Sequence, residues 1–584
     1  MVQFHGILLL SQSITYGCSN PRTGSMWIPV RRMDDNSDED TTPQQTYVVS
    51  TRILEKYKKD GIAPENHYIR CNIMETLDSN VICSWSADER LVPCQLIHTF
   101  GPVNDTSALE RYALSLCGSR GNAQHLPQAT QLHNTMVLHA KRMYENQHMT
   151  SFWTSQSNVT SMHNHGAFVT IDPSGTTEYD DAISLSIDES TNICSFGIMI
   201  ASPLLCSILL GQPEWLNRAH GYDTLYGCNR TYTMFPEDII TRCTLSSEHT
   251  TCGIIFSAQC EIDGIHELQR HYAEHWLTHL PWSISYVSDC LVSKHYTYKK
   301  FTKKEKKTIE LAASIDTRWQ DAHDLVADMM VCANAVTAKR CCGAGQPIIM
   351  RSSVAIPDTA TEPHRKNDDI FGGPFDSTMT YCGMYTMDIA QSHEALSISQ
   401  YCHMSSPLRR WVDNWNQLCL LSYDTRYKNE NSLVSSIIEC DNDIMRLNQV
   451  IGQSKLFHRM MDTHGMKQMI QKNMNMESSV QVISITRQSS SSCYCIRCRD
   501  LTRNTSFVYH THPGERWFVS TSHNEEKECD THGLTDDVIH NLVQQWNTEP
   551  NSRVMNVRYI ADKSSLSGFA MVLEGDTPPA PLRA

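Results

Sequence analysis

No segment of this 584-residue chain approaches the roughly 20 consecutive apolar residues that a membrane helix needs. The opening "MVQFHGILLLSQS" has only a short apolar run, with no basic stretch before it. That is too short for a secretory core and reads as an alternating first strand. Also missing are a Gly-rich phosphate loop and a Gly-x-Ser-x-Gly elbow, which sets aside the commoner nucleotide-hydrolase and serine-hydrolase chemistries. Without any repeat of roughly 20–50 residues, a solenoid is excluded. Excess basic charge is absent too. The net charge of −15 argues against a generic nucleic-acid coat, but not against an enzyme whose basic residues line an internal channel. Nor is there a disulfide framework. The 23 cysteines are scattered and odd in number beside 26 methionines, which suits free thiols in a reducing compartment, cytoplasmic or nuclear.

What remains is an ordinary soluble composition, 40% hydrophobic and 19% charged, in a chain long enough for about three to five domains. Before residue 110 short β-like runs dominate: "GILLLS", "MWIPVRR", "TYVVSTR", "HYIRCNI" and "LVPCQLIHTFG". This spacing suits a small antiparallel barrel. The acidic "MDDNSDEDTTPQQ" (33–45) reads as a surface loop, and the polar stretch 145–166 as a break after the helical "QLHNTMVLHAKRMY". Strands and helices then mix to about 470, with long helical patterns in "DAHDLVADMMVCANAVTAKR" and "DNDIMRLNQVIGQSKLFHRMM". After 478 the chain turns β-like again, with "RQSSSSCY" (487–494) as a hairpin tip.

The chemistry concentrates in "AFVTIDPSGTTEYDDAISLSI". "FVTI" and "ISLSI" have strand composition, and Pro173, Ser174 and Gly175 turn the chain between them. Asp172, Glu178, Asp180 and Asp181 therefore share a loop closed by two strands and can converge on one point. Oxygen-only donors suit Mg²⁺ or Mn²⁺ and not zinc. Paired ions of this kind activate water and stabilise a leaving oxygen in phosphoryl chemistry. A solvated acidic turn or a structural Ca²⁺ loop would look the same. The second stretch, "QYCHMSSPLRRWVDNW" (400–415), gathers Ser405, Ser406, Pro407, Arg409 and Arg410 on a loop feeding a helix. Hydroxyls, a helix N-terminus and guanidinium forks make a phosphate site, though an Arg pair there also makes ordinary surface salt bridges. Together the two stretches suggest a phosphodiester held between metal ions and arginine.

"FVTIDPSGTTEYDDAIS" resembles the catalytic motif of the ribonuclease II/ribonuclease R (RNB) family of 3′→5′ exoribonucleases, which includes the exosome's processive subunit. "HEALSISQYCHMSSPLRRWVD" is similar to its second signature, and "LYGCNRTYTMFPEDI" and "VADMMVCANAV" to segments between them, in family order over about 160–425. The resemblance implies a multidomain α/β and β protein: a mixed α/β catalytic domain flanked by OB-fold β-barrels, cold-shock-like before and S1-like after. Residues 1–110 would be the N-terminal barrel region, 111–159 a linker helix region, 160–470 the catalytic domain and 478–575 the S1-like barrel. It also implies hydrolysis of single-stranded RNA to nucleoside 5′-monophosphates, fed by a helicase or a larger RNA-decay complex. Carried over by position, Asp172, Glu178, Asp180 and Asp181 would form the metal site, with Asp180 essential to chemistry. Arg409 and Arg410 would meet the scissile phosphate, Tyr226 would stack on the 3′-terminal base, and Asp328, Asn334 and Ser406 would line the RNA end.

Departures accompany the likeness. Position 178 is Glu for Asp, 328 is Asp for Glu, the His after the arginine motif is Gln417, and Gln481 stands where a Glu opens the last barrel, with Glu477 nearby. An RNA-binding scaffold that kept the fold but lost activity is the competing reading. Elsewhere, "HTHPGERWFVSTSH" (510–523) resembles a zinc deubiquitinase signature, but His523 takes the place of its Asp. "CYCIRC" reads as a strand with thiols on one face, and the methionines of "HGMKQMIQKNMNM" as core packing.

Overall fold

A computed structural model describes residues 3–10, 18–20, 25–32, 45–51, 66–73, 90–116, 131–145, 153–163, 167–272, 274–297, 312–319, 321–355, 369–371, 381–424, 441–472, 476–487, 494–503, 505–510, 554–561 and 569–573. The acidic stretch 33–44 and most of the His-rich 510–523 lie outside them.

The β-like runs at the N-terminus form strands β1 (Gln3–Leu8), β2 (Ser25–Arg32), β3 (Gln45–Thr51), β4 (His67–Ile73) and β5 (Arg90–Pro102). Pairing runs β1–β4–β5–β3–β2 and returns from β2 to β1, so the sheet closes on itself. Only β3 and β5 pair in parallel. Closure in this order is the Greek-key arrangement of an OB barrel. Alternation fills it: Phe4, Leu8, Ile28, Val30, Val49, Ile69, Cys71 and Cys94 are buried together.

The central body is a seven-stranded sheet in the order Lys294–Thr297, Val169–Asp172, Asp181–Asp188, Ile193–Ala201, Thr251–Glu261, Ser283–Cys290, Trp153–Thr154. The strand Ile193–Ala201 is buried almost throughout, as its largely apolar sequence ICSFGIMIA dictates. Around it pack helices Gln131–Glu145, Ala322–Gly343 and Trp411–Asp424, sharing one core that includes Trp276, Trp319, Trp411 and Trp415. All three helices fall where the sequence pattern places them. The polar stretch 145–166 is more ordered than expected. It contains strand Trp153–Thr154 and helix Gln156–His163, whose start is held by Asp289, accepting from Ser155 Oγ and Gln156 N at 2.9 Å each.

Helix Asp441–Lys472 spans the junction between body and barrel, and buries Met461 and Met466 as core. Beyond it, strands Met476–Arg487, Tyr494–Asp500, Thr505–His510, Val554–Ala561 and Phe569–Leu573 form the C-terminal β unit. The first pairs with both the second and the fourth, again in OB order. Every cysteine whose side chain is described is a free thiol. Among the described residues no helix is long and apolar enough to cross a membrane.

Candidate active site

Strand Val169–Asp172 delivers Asp172 at its last position, and strand Asp181–Asp188 begins on Asp181. Between them Gly175 takes φ +90°, a left-handed conformation that glycine adopts without penalty. The returning segment is pinned by its backbone. Tyr179 N donates to Thr244 Oγ1 at 2.8 Å, Leu245 N to Tyr179 O at 3.0 Å, and Ala201 N to Asp180 O at 2.8 Å. Extended chain sends alternate side chains to opposite sides. The Tyr179 ring stacks on His295 at 4.1 Å, while Glu178 and Asp180 are buried.

The arginine loop closes over this cluster. Asp180 accepts from Leu408 N at 2.8 Å and from Arg409 Nε at 3.0 Å, one on each oxygen. Arg409 also donates to Ser406 Oγ at 2.9 Å, which fixes the guanidinium plane. Thr224 Oγ1 donates to Glu178 Oε1 at 3.3 Å, and Thr224 N to Arg409 O at 2.9 Å. Burial dominates the electrostatics. It pushes Asp172 and Asp180 up to about 6, and Glu178 and Asp181 up to about 7. Asp180 adds repulsion to each of the other three, and Arg409 opposes the rise in all four. Burial alone would lower Arg409, but the surrounding anions outweigh it and raise it.

Two buried carboxylates, Glu178 and Asp180, and two half-buried ones, Asp172 and Asp181, leave an excess of negative charge over the one guanidinium of Arg409. Asp172 Oδ2 and Glu178 Oε2 are buried with no hydrogen-bond partner. Orphaned carboxylate oxygens in an all-oxygen donor set fit a hard divalent cation. Among the described residues, the three donors that lie within 4.8 Å of one another are instead Asp321, His323 and Asp324. That trio is a helix start: Asp321 accepts from the backbone of His323 and Asp324 as the N-cap of Ala322–Gly343.

The other expected residues divide. Tyr226 is 45% exposed on a short hairpin, its ring 5.7 Å from His458. Arg410 turns inward to Asp413 Oδ1 at 3.0 Å, and Asp413 also accepts from Ser406 N at 2.6 Å. Ser406 is buried, so it bears on the cluster through Arg409. Asn334 is buried as well: Nδ2 donates to Tyr401 Oη at 3.1 Å and Oδ1 accepts from Met404 N at 2.8 Å, holding the loop that leads to Ser405. Asp328 sits apart from the acids, accepting from Trp319 Nε1 at 2.8 Å. Gln481 lies in the C-terminal sheet opposite Arg499, on the same strand as Glu477 and four residues beyond it. Residues that sequence reasoning left out are Thr224, Asp223, Asp413 and His458. Asp223 is pushed up to about 7 by burial, although Arg410 opposes it. The Asp that follows the arginine pair was visible in the motif; the others carry no local signal.

No protein-family model and no curated protein matches this chain. Solved structures do. Mycoplasma genitalium RNase R in complex with ribose-methylated single-stranded RNA superposes with a TM-score of 0.55 at 12% identity, covering 98% of this chain and 90% of that one. Its apo form gives 0.54 at 12% identity, with the same coverage. Yeast Ssd1, a pseudonuclease, gives 0.49 at 10% identity, covering 99% of this chain and 83% of that one. The first two cover the N-terminal barrel, the sheet with its acid loop and the C-terminal strands alike, so this chain has the fold of ribonuclease R.

Proposed function

We propose that the chain is a divalent-metal-dependent, hydrolytic 3′→5′ exoribonuclease acting on single-stranded RNA and releasing nucleoside 5′-monophosphates. The observation that carries this reading is the pair of buried, orphaned oxygens, Asp172 Oδ2 and Glu178 Oε2, in a four-acid cluster whose Asp180 is held by Arg409. Asp172, Glu178, Asp180 and Asp181 would hold Mg²⁺ or Mn²⁺, which when bound supplies an activated water and charge for the leaving oxygen. The rest is the work of the chain's own residues. Arg409, held flat by Asp180 and Ser406, faces the non-bridging oxygens and balances the charge that grows on them. Water adds to the last phosphorus, the O3′–P bond breaks, and the phosphate leaves on the 5′ side of the freed nucleoside. Tyr226 offers an exposed ring for the 3′-terminal base, a contact that every base can make. Arg410, tied to Asp413, braces the helix start behind Arg409.

One observation favours the RNA-binding scaffold instead. Both oxygens of Asp180 are already satisfied by the protein, so that carboxylate is stable without a metal. The free thiols support a reducing compartment, cytoplasmic or nuclear, and helicases or larger RNA-decay assemblies are the partners this activity calls for. The deciding assay uses 5′-labelled single-stranded RNA with Mg²⁺. A ladder shortening from the 3′ end to a small limit product is expected from the wild type. It should be absent with Asp180→Asn and with a 3′-blocked substrate. Equal RNA binding by both proteins without shortening would leave the scaffold in its place.

A further inference from the structure

We propose that Glu110, in the helix that leaves the N-terminal barrel, positions Tyr226 and so sets how short an RNA the site can grip. This rests on the reading of Tyr226 as the platform for the 3′-terminal base. Helix Thr106–Leu116 buries Glu110 to 4% exposure. Its carboxylate reaches across to the hairpin made of Leu225–Tyr226 and Thr231–Tyr232, accepting from Asn229 N at 2.5 Å and from Tyr232 Oη at 3.2 Å. The turn is shaped to admit it. A Cβ on Gly227 would stand 3.0 Å from Glu110 Oε1 and 2.7 Å from Arg230 O, so only glycine leaves the carboxylate its seat.

Burying a carboxylate is costly, and an apolar side chain would fill the same space more cheaply. What the carboxylate does, and an apolar group cannot, is fix two donors of one tight turn. Tyr226 is the residue adjacent to that turn, and the register pairs it with Thr231. Its other side is held by the long helix, where Tyr226 N donates to His458 Nε2 at 3.1 Å. Glu110 and His458 thus grip the hairpin from two elements while the Tyr226 ring stays open to solvent. The helix bearing Glu110 is itself anchored on the barrel, through Tyr112 stacked on Tyr68 at 4.5 Å and Ser115 bonded to His5 Nε2 at 2.9 Å. Tyr226 is therefore seated partly by a domain that lies over 100 residues upstream in sequence.

The test uses the full chain and an RNA carrying 2-aminopurine as its 3′-terminal base. In an Asp180→Asn background, binding should quench the fluorophore, and adding Tyr226→Ala should remove the quench. Glu110→Ala should lose most of the quench and weaken RNA binding by roughly tenfold, the scale of one base stack. Glu110→Gln should recover it, because its carbonyl can accept from Asn229 N while its amide donates to the Tyr232 oxygen. With Asp180 intact, Glu110→Ala should lengthen the limit product of the ladder assay, and Glu110→Gln should restore it. If Glu110→Ala quenches like its parent, or if Ala and Gln variants lose quench and melting temperature alike, Glu110 is only structural. Absence of quench in the Asp180→Asn parent also overturns the proposal. A wild type that never shortens RNA yet shows the Glu110-dependent quench would instead sink the nuclease reading alone.

Discussion

Gln417 is fully buried and uses both its N–H donors and its carbonyl oxygen. Oε1 accepts from Ser202 Oγ at 2.6 Å, while Nε2 donates to Ala201 O at 3.1 Å and Met404 O at 3.2 Å. Ser202 is the N-cap of helix Pro203–Leu209, and Met404 lies in the loop that carries Ser405 and Ser406. One amide therefore joins the sheet end, a helix start and the arginine loop. A neutral imidazole has one donor and one acceptor and cannot make these three bonds, which is the physical content of the departure at this position. Gln417→Ala should cost about 2–4 kcal/mol, since it strands three buried partners. Denaturant unfolding of the full chain checks it. A shift under about 0.5 kcal/mol, the size of an ordinary surface substitution, would show that the three groups find other partners.

At the scale of the element, the acid loop makes a prediction whose sign depends on the direction of the shifts. Burial raises Asp172 and Asp180 to about 6 and Glu178 and Asp181 to about 7, above the roughly 4 of an unfolded carboxyl. The native state therefore binds more protons than the unfolded state in that interval. The stability these protons supply is complete below about pH 4 and is lost as pH rises through about 6 to 7. In chelator, the melting temperature should be higher at pH 5 than at pH 7.5. At pH 7.5, Mg²⁺ should raise it in the wild type and much less in Asp180→Asn, because a ligand bound only by the native state stabilises it. A melting temperature indifferent to Mg²⁺ at pH 7.5 would leave the cluster without its cation. The strands and turn of this loop were legible because their signals are local: "FVTI", Pro-Ser-Gly, "ISLSI". The facing of side chains was not. Asn334 carries the right residue type but points inward to Tyr401 and Met404 from elsewhere in the fold, and the Ser406 hydroxyl is taken up by Arg409 of its own loop. Likewise the helix at Gln156–His163 depends on Asp289, over a hundred residues away, and no window of polar sequence could show it.

At the scale of the whole molecule, the closed barrel gives an OB unit its own small core, and a second apolar cluster welds that unit to the body. Tyr112 is the centre of the weld. It is fully buried, stacks on Tyr68 of β4 at 4.5 Å, meets Phe100 of β5 edge-on at 5.5 Å, and shares its cluster with Phe457 and Met461 of the long helix. None of these partners is near it in sequence except Phe100, so periodicity alone shows a buried helix face and not what covers it. With this cluster intact, barrel and body should unfold together. Removing a buried aromatic of this size costs about 3–5 kcal/mol. The loss falls on the contact between units rather than inside either core, because the barrel's own cluster of Phe4, Leu8, Ile28 and Val49 does not include Tyr112. Tyr112→Ala should therefore split calorimetric unfolding, with an early barrel transition separating from a later body transition. A single transition, merely shifted downward, would place Tyr112 in one cooperative core and remove the weld as a distinct joint.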